Sequence, residues 1–236
     1  GGEVDILIAP AKDLPDPAPV NSIALVPGTA QVAFRETFFD KEHEEPARLR
    51  LDLVGDVAPP VLRPAELAER LEFAGLFVQF VAATALNMWG DTAENINTFG
   101  GTDGSVHVEA QDDEVRSHSD AEMTYHGGRF VLGDGEALVV TVHNPSTDFL
   151  YWGLTTASPW MESYDYRYQT TNLNNRSAEI SAVGEWRLVI SPTDPGVANW
   201  LDTSGRREGY MLVRWVLADG PPHPSAEVVR IDSLGR

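Results

Sequence analysis

The first 55 residues of this chain read as a rough copy of its last 53. Gly2-Glu3-Val4-Asp5-Ile6-Leu7-Ile8-Ala9-Pro10 lines up with Gly184-Glu185-Trp186-Arg187-Leu188-Val189-Ile190-Ser191-Pro192. Pro19-Val20-Asn21-Ser22-Ile23 lines up with Val197-Ala198-Asn199-Trp200-Leu201, and Gln31–Arg35 with Tyr210–Arg214. Arg50-Leu51-Asp52 and Gly55 match Arg230-Ile231-Asp232 and Gly235. The offset drifts only from 182 to 178 and back to 180, as short loop insertions would produce. A self-match at so long a spacing points to two related β domains rather than a solenoid.

The copies differ in what precedes them. A run of strand pattern leads into the second copy, and nothing of the kind leads into the first. A strand set without partners leaves an open edge and a bare apolar face. Residues 1–55 are therefore expected to be the C-terminal part of an upstream β domain. The rest of that domain would come from a longer protein, a cleaved upstream fragment or a homologous subunit. The alternative is that 1–55 packs into the second domain.

Charge narrows the partners. The formal net charge is −19 and the pI about 4.5. Phosphate backbones and anionic membrane surfaces both require a basic footprint, so neither nucleic acid nor such a surface suits this chain. The chain has no cysteine, which removes disulfides, thiolate metal sites and a cysteine nucleophile. No apolar stretch reaches the roughly 18 residues of a membrane span, and the compartment stays open between cytoplasm and export. The 42% hydrophobic content is enough for a packed core.

Strand signals dominate both ends. Glu3–Ala9, Ala30–Phe39 and Arg48–Leu53 alternate or run apolar between Pro and Gly punctuation. In the middle, Pro64 with Glu66 just after it marks a helix start, and Leu67, Leu71, Ala74, Val78 and Val81 keep helical spacing to about Ala85. Beyond Leu76 this helix is apolar almost all round, so it is expected to be buried between the β parts. Residues 56–122 are read as a helical and irregular connector, with a second short helix and a solvated acidic cluster at Asp112-Asp113-Glu114. From 123 to 236, strands are expected at Gly128–Leu132, Glu136–His143, Leu150–Thr155, Tyr164–Thr170, Glu179–Ser181, Glu185–Ile190, Gly209–Leu217 and Ala226–Ile231. Gly133-Asp134-Gly135 and Val183-Gly184 read as hairpin turns. The fold class is mainly β: an antiparallel, jelly-roll-like sandwich with a helical connector and part of a second related β domain.

The densest chemistry lies in Tyr151–Asn175. Six of the chain's Trp and Tyr side chains fall within 151–168, interleaved with Glu162, Asp165 and Arg167. On a regular strand Trp160, Glu162, Tyr164, Tyr166 and Tyr168 share one face, and Met161, Ser163, Asp165 and Arg167 the other. Rings beside carboxylates and amides suit a saccharide or another flat polar ligand. Tyr151, Trp160, Tyr164, Tyr166, Asn174, Trp200, Asp202 and Arg206 are the candidate ligand-binding residues. A hydrolase or lyase acting on a carbohydrate-like substrate is the alternative, with Glu162 or Asp165 as acid or base and Arg167 holding an anionic group. On a regular strand those two carboxylates point to opposite faces, so this alternative needs a bulge. The bland reading is equally physical: Tyr and Trp are ordinary core residues, and Asp165–Arg167 a buried bridge. A third reading is a structural subunit whose β edges pair with an upstream-fragment chain.

Asp194–Gly209 reads as a long ordered loop in which Asn199 and Asp202 cap turns and Trp200 plugs the end of the sandwich. The six histidines form no close pair at helical spacing and no metalloprotease pattern. Histidines 107, 118 and 126 with Asp112 or Glu122 are the weak metal option, against which exposed loop histidines are the default; no metal or other cofactor is assigned.

Trp160-Met161-Glu162-Ser163-Tyr164-Asp165-Tyr166-Arg167-Tyr168, Leu173-Asn174, and Asp194-Pro195-Gly196 with Asn199-Trp200-Leu201-Asp202-Thr203 through Arg207-Glu208-Gly209 resemble a bacterial family known as domain of unknown function 1214. That domain is often paired with a 1254 domain upstream. The likeness covers about 130–235 and implies a jelly-roll-like β domain following a related N-terminal domain; it implies no reaction. The chain departs from the family at Ala157-Ser158-Pro159, where an Asn-rich turn with His is common, and at Arg206, where His is frequent.

Overall fold

A computed structural model describes residues 2–29, 32, 34, 36, 38–40, 43–55, 63–100, 123–145 and 148–235, without the side chains of residues 88 and 91. The expected acidic cluster, the His107 and His118 option and a second connector helix beyond residue 100 lie outside the described residues. The chain divides into two units, Gly1–Phe38 with Glu44–Arg48, and Phe39–His43 with Leu49–Arg236.

The larger unit is a β-sandwich. Strands β3 (Met123–Val131), β4 (Glu136–His143), β5 (Tyr151–Ala157), β6 (Asn172–Asn174), β7 (Glu185–Ser191), β8 (Trp200–Asp202), β9 (Glu208–Val216) and β10 (Ser225–Arg230) make two four-stranded sheets. Their orders are β10-β4-β7-β8 and β3-β9-β5-β6. All ladders are antiparallel except β7 with β8, which is parallel. The alternation in Glu136–His143 does what its period demands. Leu138, Val140 and Val142 enter the core between the sheets, while Ala137 and Val139 join a smaller cluster with Val189 on the outer face. The core is closed by Trp152 of β5, Trp186 of β7 and Trp215 of β9, with 4.7 Å between the first two ring centroids.

Several expected elements are corrected. Gly133–Gly135 does not close a hairpin, because β3 and β4 belong to different sheets. Tyr164–Thr170 is a turn, not a strand, because Asp165 captures the amides that follow it. Glu179–Ser181 supplies one bridge, Ile180 to Trp186. Trp200–Asp202, read as loop, is strand β8. Arg48–Leu53 forms no strand, and the described residues of Ala30–Phe39 form none either.

Helix α1 runs from Pro64 to Asp91, six residues past the expected end. It is not buried. Leu67, Leu71, Phe73, Leu76, Phe77, Val78, Phe80, Val81 and Leu86 are all exposed. Only its last turns dock: Ala85 is buried and its carbonyl accepts from Tyr210 Oη at 3.3 Å, while Trp89 meets the Tyr210 ring edge-on at 5.1 Å and lies under Arg129. The expectation of burial failed because, among the described residues, no element covers the earlier turns. The span expectation is corrected as well: Phe73–Gly90 carries no charged side chain, and the helix is long and apolar enough to cross a membrane by length and composition. A core helix of a soluble protein meets the same criterion.

After the helix, Asn95–Gly100 lies along the outer edge of β3. Asn97 N donates to Arg129 O (2.7 Å), Arg129 N to Asn95 O (3.0 Å) and Gly100 N to Gly127 O (2.9 Å). The Asn97 side-chain amide pairs both ways with the Val131 backbone at 2.8 Å, acting as an extra rung on that edge.

The smaller unit holds one two-stranded parallel ladder, β1 (Leu7–Pro10) with β2 (Ser22–Leu25). The first strand begins later than the expected Glu3, and its partner is a segment not read as a strand.

Candidate functional site

The ring cluster sits on the connection from β5 to β6. Ala157 and Ser163 bridge across a tight reversal in which Ser158 N donates to Glu162 O at 2.9 Å. The buried Ser158 hydroxyl oxygen accepts the amides of Trp160 (3.2 Å) and Glu162 (3.3 Å), the side-chain-to-backbone pattern that makes serine a turn former. Met161 at the tip takes a left-handed φ of 61°. Tyr164 is the anchor: it is buried, its hydroxyl donates to Ala157 O at 3.0 Å, and Arg206 Cζ lies 5.1 Å from its ring centre. Burial pushes its phenol up to about 12, with Arg206 pulling the other way.

The next turn is built by Asp165. Its carbonyl accepts the amides of Tyr168 and Gln169, both at 3.0 Å, and its carboxylate accepts the Arg167 amide at 3.1 Å. Arg167 closes on the same carboxylate with Nε at 2.8 Å and Nη2 at 2.6 Å. Hydrogen bonding from Arg167 holds the Asp165 carboxyl down to about 2. This pair is exposed, which corrects the buried bridge. Asp202 N donates to Thr170 O at 2.9 Å and ties the end of the loop to β8.

The shared strand face is therefore overturned. Of its members Tyr164 is buried, whereas Trp160 (56% exposed), Tyr166 and Tyr168 (77%) stand out into solvent. Each turn reverses the chain before a two-residue period can be established.

The remaining candidates separate. Arg206 joins Tyr164, and Asp202 reaches the loop through its backbone. The Asp202 carboxylate accepts Ser204 N at 2.7 Å and shapes the following turn. Trp200 is half-buried and donates Nε1–H to Ser191 O at 3.2 Å. Tyr151 lies at the other end of β5, about 20 Å of strand from Ala157, and Asn174, opposite Gly153, about 13 Å from it. Tyr151 is buried beside Phe39, edge to face at 5.5 Å. Asn174 is buried, donates to Phe39 O at 2.9 Å and accepts the amides of Arg176 and Ser177. Both are tied into the framework.

The acid–base pair is not assembled as a catalytic centre needs. One partner should be held protonated and the other ionised. Asp165 is held ionised and its lone pairs go to Arg167, which therefore offers no open guanidinium to an anion. Glu162 Oε2 accepts from Ser158 Oγ at 3.4 Å. No group of three or more His, Asp or Glu side chains that could hold a metal occurs among the described residues. One shallow depression, about 250 Å³, is lined by Glu179, Glu185, Arg187, Asn199 and Leu234 with others, and by none of the candidate residues.

His126, expected from the sequence as an exposed loop histidine or a member of the weak metal option, is instead a buried titratable group. His126 on β3 is buried with its ring 4.9 Å from that of His223, and both its nitrogens lack a partner among the described residues. The strand expected there begins only at Gly128, whereas β3 starts at Met123 and carries His126 into the packed interior.

No family model matches the chain, and no curated protein does. A crystal structure of an uncharacterised protein from Burkholderia cenocepacia is similar to it, with 31% identity and a TM-score of 0.72 over 84% of this chain and 53% of that one. A protein from Vibrio parahaemolyticus matches with 15% identity and a TM-score of 0.40 over 73% of this chain and 47% of that one. The chain spans about half the length of each.

Proposed function

We propose that this chain is the binding portion of a larger two-domain β protein, related to domain of unknown function 1214, and that the β5–β6 loop takes a polar, saccharide-like ligand. The observation that carries this reading is the exposure of three rings on one braced loop. Tyr164 and Ser158 anchor the loop from within, while Trp160, Tyr166 and Tyr168 are exposed to solvent. Flat apolar faces held on a braced loop stack on the C–H face of a sugar ring, and the exposed Glu162 carboxylate beside them supplies an acceptor for hydroxyls. Formal charge of −19 disfavours polyanionic sugars, so neutral glycans are the preferred class.

The test is affinity electrophoresis and tryptophan fluorescence against soluble neutral β-glucan, neutral α-glucan and a polyuronate. Retardation by a neutral glycan, reduced about tenfold or more by Trp160→Ala and retained in Tyr164→Phe, is expected. No retardation by any neutral glycan, or retardation indifferent to Trp160→Ala, overturns it.

A further inference from the structure

In the small unit, Leu7 lies opposite Ser22 and Ile8 opposite Ile23; in β7 and β8, Val189 lies opposite Trp200 and Ile190 opposite Leu201. Under the sequence alignment these are the same rungs. The same backbone bond closes each ladder: Leu7 N to Asn21 O at 3.0 Å, and Val189 N to Asn199 O at 2.9 Å. Two parallel pairs in equivalent register, joined by connections of 11 and eight residues, are one motif built twice.

The two ladders differ in their surroundings. β8 ends its sheet, so the outer edge of β2 has a precedent. β7 does not end its sheet: β4 runs antiparallel along its other side, from Glu185 to Ile190. Among the described residues, the small sheet stops at β1. Leu7 turns its amide toward β2, so Ile6 and Ile8 turn theirs toward the open edge.

Side-chain burial makes the same distinction. Trp186, Leu188 and Leu201 are 5%, 0% and 0% exposed in the sandwich core. Their counterparts Val4, Ile6 and Ile23 are 66%, 45% and 41% exposed. Among the described residues, no layer covers the inward face of the motif here.

We infer that β1 is a strand acceptor: its outer edge, continued back through Glu3–Ile6, takes an antiparallel strand of β4-like sequence, supplied by a related β-domain segment of another stretch of polypeptide. Such a strand carries apolar residues at alternate positions, opposite Val4, Ile6 and Ile8, as Val142, Val140 and Leu138 lie opposite Trp186, Leu188 and Ile190. A second copy of this chain cannot lend its own β4, which is held on both edges by β7 and β10. The similar Burkholderia protein has nearly as much chain outside the matched region as within it, enough for a further half-domain. Main-chain pairing supplies affinity and the alternate pockets supply register, as in other strand additions.

Amide hydrogen exchange on this chain, alone and with a synthetic peptide of the sequence Glu136–His143, tests the inference. Alone, the Ile6 and Ile8 amides should exchange about tenfold or more faster than that of Leu7. The peptide should slow Ile6 and Ile8 and leave Leu7 unchanged. Ile6→Pro should abolish the peptide's effect while Leu7 stays protected, which shows that the β1–β2 ladder persists. Protection of Ile6 and Ile8 in the monomeric chain alone would overturn the inference, because the edge would already be filled. Protection that grows with chain concentration alongside a dimer in ultracentrifugation would assign the edge to a second copy and overturn it as well. Exchange unaltered by millimolar peptide would do the same.

Discussion

His126 and His223 meet edge to face, with 4.9 Å between ring centroids and 69° between planes. Burial lowers the His126 pKa to about 4 and the neighbouring His223 adds to the effect. The native state thus holds a neutral imidazole that the unfolded chain protonates near 6.5. This contribution to stability is complete above about pH 6.5 and is lost as the pH falls toward 4. The difference corresponds to on the order of 3 kcal/mol. Urea unfolding between pH 7 and pH 4 should show that decline, and His126→Leu should flatten it. An unchanged slope in the variant would remove His126 as its source.

Trp152 touches both other core indoles, with centroids 4.7 Å from Trp186 and 6.3 Å from Trp215. Trp152→Ala should cost about 3–5 kcal/mol in denaturant unfolding through the cavity it leaves. Trp152→Phe should cost less than the alanine variant. The phenyl ring keeps much of the packing and removes an indole N–H that is buried without a partner among the described residues. Equal losses in the two variants would mean that the phenyl ring recovers none of the indole's packing.

Legibility in the sequence followed the source of each structural decision. Glu136–His143 was readable to both ends because its alternation and its burial have one cause, a strand with one face in the core. Tyr164–Thr170 was misread because ring-rich alternation imitates a strand, while Asp165 decides the backbone through local hydrogen bonds. The same error assigned five side chains to one face, although anchoring by Tyr164 and exposure of Trp160 are what separate framework from candidate surface. The parallel pairing of β7 with β8 left no periodic trace, because three residues are too few to show one. Leu67 to Val81 revealed the helix, but apolar composition cannot tell a buried helix from one whose cover is elsewhere.

Gly128 of β3 faces the Asn95–Gly100 segment with no room for a side chain. A Cβ there would meet the Thr98 carbonyl oxygen and Met211 Cε. Gly128→Ala should destabilise the larger unit by about 1–3 kcal/mol, the usual cost of forcing a methyl group into filled space. It should also speed exchange of the Asn97 and Gly100 amides, which bond to β3. Normal protection of those two amides in the variant would show that the backbone accommodates the methyl group without releasing the edge segment.

Helix α1 presents apolar side chains on every face from Phe73 to Gly90, and only Ala85, Trp89 and their neighbours dock on the sandwich. An apolar surface of that extent in water binds hydrophobic dyes and promotes association. Phe77→Glu with Val81→Lys places an oppositely charged pair one turn apart in the favourable order, so helicity is preserved while the apolar face is interrupted. The double variant should bind far less hydrophobic dye and remain soluble at higher concentration. The melting temperature of the sandwich should not change, because both side chains are exposed and touch none of its core. A fall of several degrees would instead place this part of the helix against the sandwich. Flotation with neutral-lipid vesicles separates the two covers such a helix can have. Flotation of the parent chain that the double substitution abolishes indicates a bilayer, and recovery in the aqueous fraction with dye bound indicates a protein surface.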